Sequence, residues 1–204
     1  DPEYTRYEAV PRSEIGRKLV EGTNLIAHIS VDSTYVLANG ASVTELRYLS
    51  ASGLAMAAFF FEIDLTSPDI ALEVCTPQNK PIGVGFEPVT QQAMHVDAEG
   101  HRVLGGTNAD FGSETQKGPQ GIFWKDGVAQ KTVFNTTPAR PRSFFAIRTD
   151  KRAVAAAAAD YDEIAASKVI YEAVGGGPVL VDDGVVPIPV SYTHLRAHET
   201  DSYL

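Results

Sequence analysis

Polar and apolar positions change period several times along the chain, and each change marks an element. Asp1–Gly22 is polar, with a short helix predicted over Ser13–Glu21, where Ser13 can cap and Gly22 can stop it. Leu25–Ser30 and Thr34–Leu37 read as short strands parted by Val31-Asp32-Ser33. Val43–Ser50 alternates, Ala51-Ser52-Gly53 is a turn, and Leu54–Asp64 follows as a long apolar strand. Its apolar run, Leu54–Phe61, has the composition of a buried strand. Ile70–Cys75 alternates again. Pro88–Ala98 is the clearest helix, with Pro at its start, Val89, Ala93, Met94 and Val96 on one side, and Gly100 beyond its end.

Arg102–Thr107 is predicted as a strand leading into Asn108. Ile122–Lys125 and Val128–Val133 flank Asp126-Gly127, a hairpin signal. Ser143–Arg148 is a further strand. Alanine favours helix at Ala153–Ala159, but the preceding strand and the turn-like Thr149-Asp150-Lys151 favour a return strand. Glu163–Tyr171 reads as helix, and Leu180–Val181 and Val185–Val186 flank the tight turn Asp182-Asp183-Gly184. Many strands, several hairpins, few helices and no βαβ alternation predict an α+β protein on a largely antiparallel or mixed sheet with a few flanking helices.

Composition narrows the chemistry. At 204 residues, 44% apolar and 21% charged, the chain has the makings of one sizeable core. A formal charge of −9 and the lack of any Lys/Arg run argue against nucleic acid as a partner. No stretch is apolar enough to span a membrane. Cys75 is the sole cysteine, which rules out an intrachain disulfide and a cysteine metal cluster and favours a buried, inert thiol. The first residue is Asp1, so an export signal could have preceded it. Secretion, the periplasm or the cell surface is the expected location.

Val190–Thr200 resembles the translation of a transposase adapter used in DNA library preparation, with Asp201–Leu204 as index bases. On that reading 190–204 is an artefactual tail, and the protein's own sequence is cut short near Pro189. His194 and His198 stand at the i, i+4 spacing of a helical metal pair, but within such a tail the spacing has no meaning. The expected organisation is therefore 1–40 as an N-terminal extension, 41–189 as the functional domain, and 190–204 as the tail.

Two segments carry candidate chemistry. Thr107–Gly112 supplies an amide at Asn108, a carboxylate at Asp110, an apolar face at Phe111 and a freely turning backbone at Gly112. By composition alone an ordinary Asx turn would account for it. Gly175-Gly176-Gly177, placed between helix and strand, leaves backbone N–H groups uncovered that could cradle an anionic oxygen. A tight crossing without ligand is the alternative. No Lys-Ser/Thr follows, so it is not a Walker loop.

The ordered set Leu104–Phe111, Pro119-Gln120-Gly121, Lys125-Asp126-Gly127, Ser143–Arg148 and Ala173–Leu180 ending at Asp183-Gly184 resembles the phosphodiester glycosidase domain family. That family includes the enzyme that uncovers mannose 6-phosphate by removing N-acetylglucosamine from its phosphodiester, and bacterial proteins once labelled for exopolysaccharide biosynthesis. The resemblance runs from about Val43 to Val186. Two departures stand out: Ala109 replaces a usual glycine, and a Pro-Arg-Thr-type segment expected after the glycine-run hairpin is absent.

The resemblance implies a hydrolase that cleaves a C1–O–P linkage and releases free sugar. It places Asp110 and Asn108 as catalytic residues. Thr107, Phe111, Gly112, Gln120 and Gly175, Gly176 and Gly177 are the implied substrate-binding residues. Asp110 would stabilise charge at the anomeric carbon or activate water. Alternatively it would hold a divalent cation against the phosphate; no other cofactor is implied and the metal ligands stay undefined. The rival is a non-catalytic module for glycan binding or cell-surface polysaccharide assembly.

Overall fold

The computed structural model describes residues 8–83, 85–113, 115, 117–135 and 141–186. The adapter-like tail lies outside the described residues. The chain divides into two compact units at Ala71/Leu72, so residues 41–71 group with the N-terminal segment rather than with the C-terminal unit. The reason is strand pairing across the expected boundary at 40/41: Ala38 is the register partner of Ala41.

In the first unit, α1 (Glu14–Gly22) is capped by Ser13, whose Oγ accepts from the Gly16 amide at 2.9 Å. Three antiparallel strands follow in the order β1 (Ile26–Ala38), β2 (Ala41–Ser50), β3 (Ala55–Ile63). The two short strands expected before residue 38 are a single strand. Asp32 does not interrupt it, because the Arg12 and Ser13 amides donate to its Oδ2 at 2.6 and 2.8 Å. Thr44 and Leu46 are sealed on one face of the sheet. The expectation that Leu54–Phe61 is buried fails. β3 is an edge strand, and Leu54, Met56, Phe59 and Phe61 are exposed. Phe59 and Phe61 alternate away from the face on which Thr44 and Leu46 are sealed, while Leu54 and Met56, on the other parity, lie just before and at the start of the edge strand.

The second unit is built on five antiparallel strands: β6 (Phe123–Lys125), β7 (Val128–Lys131), β8 (Ser143–Arg148), β9 (Ala153–Ala157) and β10 (Ile170–Gly176), in the order β7-β6-β10-β8-β9. A small ribbon, β4 (Gly112–Ser113) with β5 (Gly118–Pro119), precedes them. The helices are α2 (Val89–Val96) and α3 (Tyr161–Ala166). The architecture is α+β with antiparallel sheets. The core gathers Ile122, Phe144, Ala146, Tyr161, Ile170 and Ala173, with Trp124 and Phe134 packed against it. Tyr161 meets Phe144 and Phe134 edge-on, at 5.7 and 5.6 Å between centroids. Its hydroxyl accepts from Trp124 Nε1 at 2.9 Å.

Three expectations are corrected in this unit. The helix expected through Tyr171 stops at Ala166, and Lys168 turns with φ 54°. Val169 and Ile170 are β-branched, and Ile170 pairs with Arg148 as the start of the central strand. Residues 72–76 form no strand; the Val74 amide and carbonyl are instead held by Glu172 Oε2 and Lys125 Nζ, at 3.0 and 2.8 Å. Cys75 there is a free, half-buried thiol whose pKa burial pushes up, which disfavours the thiolate. Residues 102–109 likewise join no ladder. Gly105-Gly106 brings no side chains to pack a strand, so the approach to Asn108 is irregular. The return strand at Ala153 is present, since pairing with β8 outweighs alanine's helix propensity.

Candidate active site

The site begins with the backbone of Asp110, which is left-handed at φ 57°. That conformation is tolerated by Asp more than by most residues. It turns the carboxylate inward, where its side chain is 2% exposed. Oδ1 accepts from the Phe111 amide and Oδ2 from the Gly121 amide, both at 2.6 Å. The Gln120 amide donates to the Phe111 carbonyl at 2.8 Å, tying 110–112 to 119–121.

Two glycines make room for this carboxylate. A Cβ on Gly175 would lie 2.7 Å from the Gly121 Cα and 2.8 Å from Asp110 Oδ2. A Cβ on Gly121 would meet the Gly175 Cα at 2.7 Å and Asp110 Oδ2 at 3.1 Å. The Asn108–Gly112 segment and the glycine run therefore meet at the Asp110 carboxylate. Gly177 extends the contact, since a Cβ there would sit 3.3 Å from Phe111 Cε2.

The first two glycines of the run belong to the sheet rather than to a turn. Gly175 and Gly176 are strand residues at the end of β10, paired with Phe144 and Ser143. The Gly175 amide donates to the Ile122 carbonyl at 3.0 Å, and the Gly177 carbonyl accepts from Ser143 Oγ at 2.7 Å. At Gly175 the missing side chain allows close approach to Gly121 and Asp110, and its amide is taken up within the sheet.

Thr107, Asn108 and Gly112 are exposed, and Phe111 and Gln120 are half-buried. The Gln120 amide Nε2 donates to the Gly112 carbonyl at 2.9 Å, while its Oε1 accepts from Arg142 Nη2. Thus the structure seals Asp110 and leaves Thr107 and Asn108 facing outward beside it.

Two cations were missed in the sequence. Arg142 is buried, with Nη1 3.7 Å from Asp110 Oδ1 and Cζ 4.9 Å from the Phe111 ring centroid. Lys131 donates from Nζ to the Pro119 carbonyl at 2.6 Å. Burial pushes its pKa down; the Asp110 charge opposes that and Arg142 adds to it. For Arg142 a signal existed: it shares the period-2 register of Phe144 and Ala146, both buried, so an arginine belongs to the inward face. Lys131 carried no such signal.

Among the described residues, no group of three or more His, Cys, Asp or Glu side chains is placed to hold a metal ion. No described helix is long and apolar enough to cross a membrane. Residues 101–199 match the family model of phosphodiester glycosidase. The matched interval contains all of the elements around Asp110, takes in the adapter-like residues 190–199, and leaves out 43–100. No curated protein matches the chain.

Proposed function

From the phosphodiester glycosidase match over residues 101–199, we propose that the protein hydrolyses a sugar-1-phosphodiester at the C1–O–P linkage, releasing free sugar and a phosphate monoester. The observation that carries this reading is the sealed Asp110 carboxylate, wedged between Gly121 and Gly175 beside Arg142, with Thr107 and Asn108 turned outward. A phosphate monoester leaves more readily than a sugar alcohol, so the reaction asks less of a general acid than of groups that place the diester. Asn108 offers both a donor and an acceptor for sugar hydroxyls or phosphate oxygens. The Lys131 charge biases the surrounding potential toward an anionic substrate. Asp110 is the carboxylate on which the site is built. Both of its oxygens are engaged by backbone amides, so its first contribution is to fix Asn108 and Phe111 where the substrate meets them.

The test uses the protein expressed from its own gene, a panel of sugar-1-phosphodiesters, and release of reducing sugar as the readout. Asn108→Ala should lower kcat/KM by on the order of 10- to 100-fold with an unchanged melting temperature, because an exposed side chain holds little of the fold. Asp110→Asn should lower turnover and stability together, because it removes the charge that faces the buried Arg142 guanidinium at 3.7 Å. A wild type that binds glycans but frees no sugar from any diester would replace this reading with the non-catalytic module.

A further inference from the structure

Arg142 ends one residue before β8 and reaches four separate stretches of chain. Nε donates to the Asn135 carbonyl at 3.3 Å and Nη1 to the Gly176 carbonyl at 3.4 Å, while Nη2 donates to Gln120 Oε1. Nη1 also faces Asp110 Oδ1 at 3.7 Å, and the guanidinium lies over the Phe111 ring. The side chain is 2% exposed, as is that of Asp110. So buried a group is turned to its protein partners rather than to solvent. Whatever it does for the reaction it does through Asp110, Phe111 and Gln120.

Resting on the activity proposed above, we infer that Arg142 is a positioning residue: its planar fork locks the Asp110–Gly112 and Gln120–Gly121 segments into the one arrangement that presents Asn108 and Phe111 together. The chemistry of the side chain carries the argument. A guanidinium offers five donors in a fixed plane and a flat face for an aromatic ring. It can satisfy Asn135, Gly176 and Gln120 at once and still stack on Phe111. A lysine ammonium keeps the charge opposite Asp110 but cannot hold that many partners in one plane.

Removing the charge altogether would strand Asp110 in the interior, so Arg142→Met is expected to unfold the region and decides little by itself. The informative variant is Arg142→Lys. Its kcat should fall on the order of 10- to 100-fold, the scale of a small misplacement, with KM nearly unchanged. Independently of any substrate, hydrogen exchange should quicken at the Phe111 and Gly121 amides, the two that donate to Asp110. Amides along the β8–β9 ladder should keep their protection. General weakening of the fold would instead raise exchange in both places.

Wild-type kcat or unaltered exchange at Phe111 and Gly121 in Arg142→Lys would overturn the inference. So would a loss confined to KM, which would make Arg142 a substrate contact. If the wild type releases no sugar while the variant still loosens those two amides selectively, the proposed activity falls and the positioning role stands.

Discussion

The first unit is built of long strands where the second is crowded. β1, β2 and β3 are long, pair in chain order, and leave several aromatic and aliphatic side chains in solvent. Around Asp110, by contrast, the strands are short, the connections irregular, and hydrogen bonds join side chains to backbone groups. The first arrangement follows from local alternation and tight turns. The second depends on segments far apart in sequence meeting at one carboxylate. A site that must hold a buried charge cannot be assembled from one hairpin, because each oxygen and each cation needs its own partner.

That contrast is sharpest at glycine. Gly175→Ala places a Cβ against the Gly121 backbone and the Asp110 carboxylate at once, and neither is the free end of a flexible side chain. The expected cost is about 3 kcal/mol or more, through overpacking and loss of the Asp110 contacts, together with loss of turnover. In the first unit, Gly22 has nothing within 4 Å of an added Cβ, and Gly22→Ala should change stability by less than about 1 kcal/mol. Chemical denaturation of both variants checks the pair. Equal costs would mean that Gly175 is not a close approach.

Legibility in the sequence divides along the same line. Ser143–Arg148, the Asp126-Gly127 turn and the α1 cap were readable because each is set by neighbours within a few residues. Asp126 and Gly127 both take positive φ, 52° and 73°, as that hairpin signal requires. The Asp110 motif was readable as a motif, and so was the glycine run as a place of close approach. What the run approaches was not. Gly175 is packed by Gly121 and Asp110, and no local pattern can say that a glycine will be a strand residue facing a carboxylate. The helix expected through Tyr171 erred similarly, because pairing of Ile170 with Arg148 is a long-range event. Phe59 and Phe61 erred in the other direction: an apolar run says what could be buried, not what finds a partner.

Two buried carboxyl groups, one in each unit, should respond oppositely to pH. Burial pushes the Asp32 pKa up. The Ser13 hydroxyl, the Ser13 and Arg12 amides and the Arg12 charge outweigh burial and hold it below the ordinary 3.8. A depressed carboxyl contributes stability that is present above 3.8 and lost as pH falls through its folded value. For Glu172, burial dominates over the Asp126 and Val74 amides and the Lys125 charge, raising the pKa above the ordinary 4.5. The native state then holds that proton more readily than the unfolded chain, so stability declines as pH rises from 4.5 through the folded value. Trp124, the single tryptophan, lies in the second unit. Its fluorescence melts should show the decline above pH 4.5 flattened in Glu172→Gln and untouched in Asp32→Asn. Far-UV circular dichroism should show the loss below pH 3.8 flattened only in Asp32→Asn. A common response in both variants would contradict the assignment of one group to each unit.

The smallest expected effect belongs to the exposed side of the first sheet. Phe59 is 63% exposed on β3, an edge strand, and its register partner is Glu45. Leu46, on the neighbouring strand, is sealed, so position in the sheet rather than hydrophobicity sets what each contributes. Phe59→Ser removes little area from contact with protein and should alter unfolding free energy by no more than about 0.5 kcal/mol. Its effect should fall on association instead. An edge strand carrying exposed aromatic side chains invites pairing between copies, and a hydroxyl in place of the ring makes that contact less favourable. Light scattering at rising protein concentration should therefore show less self-association for Phe59→Ser than for the wild type, at matched stability. A destabilisation above about 1 kcal/mol would show that the ring is packed in solution, and the contrast between an open sheet face and a sealed site would lose its first half.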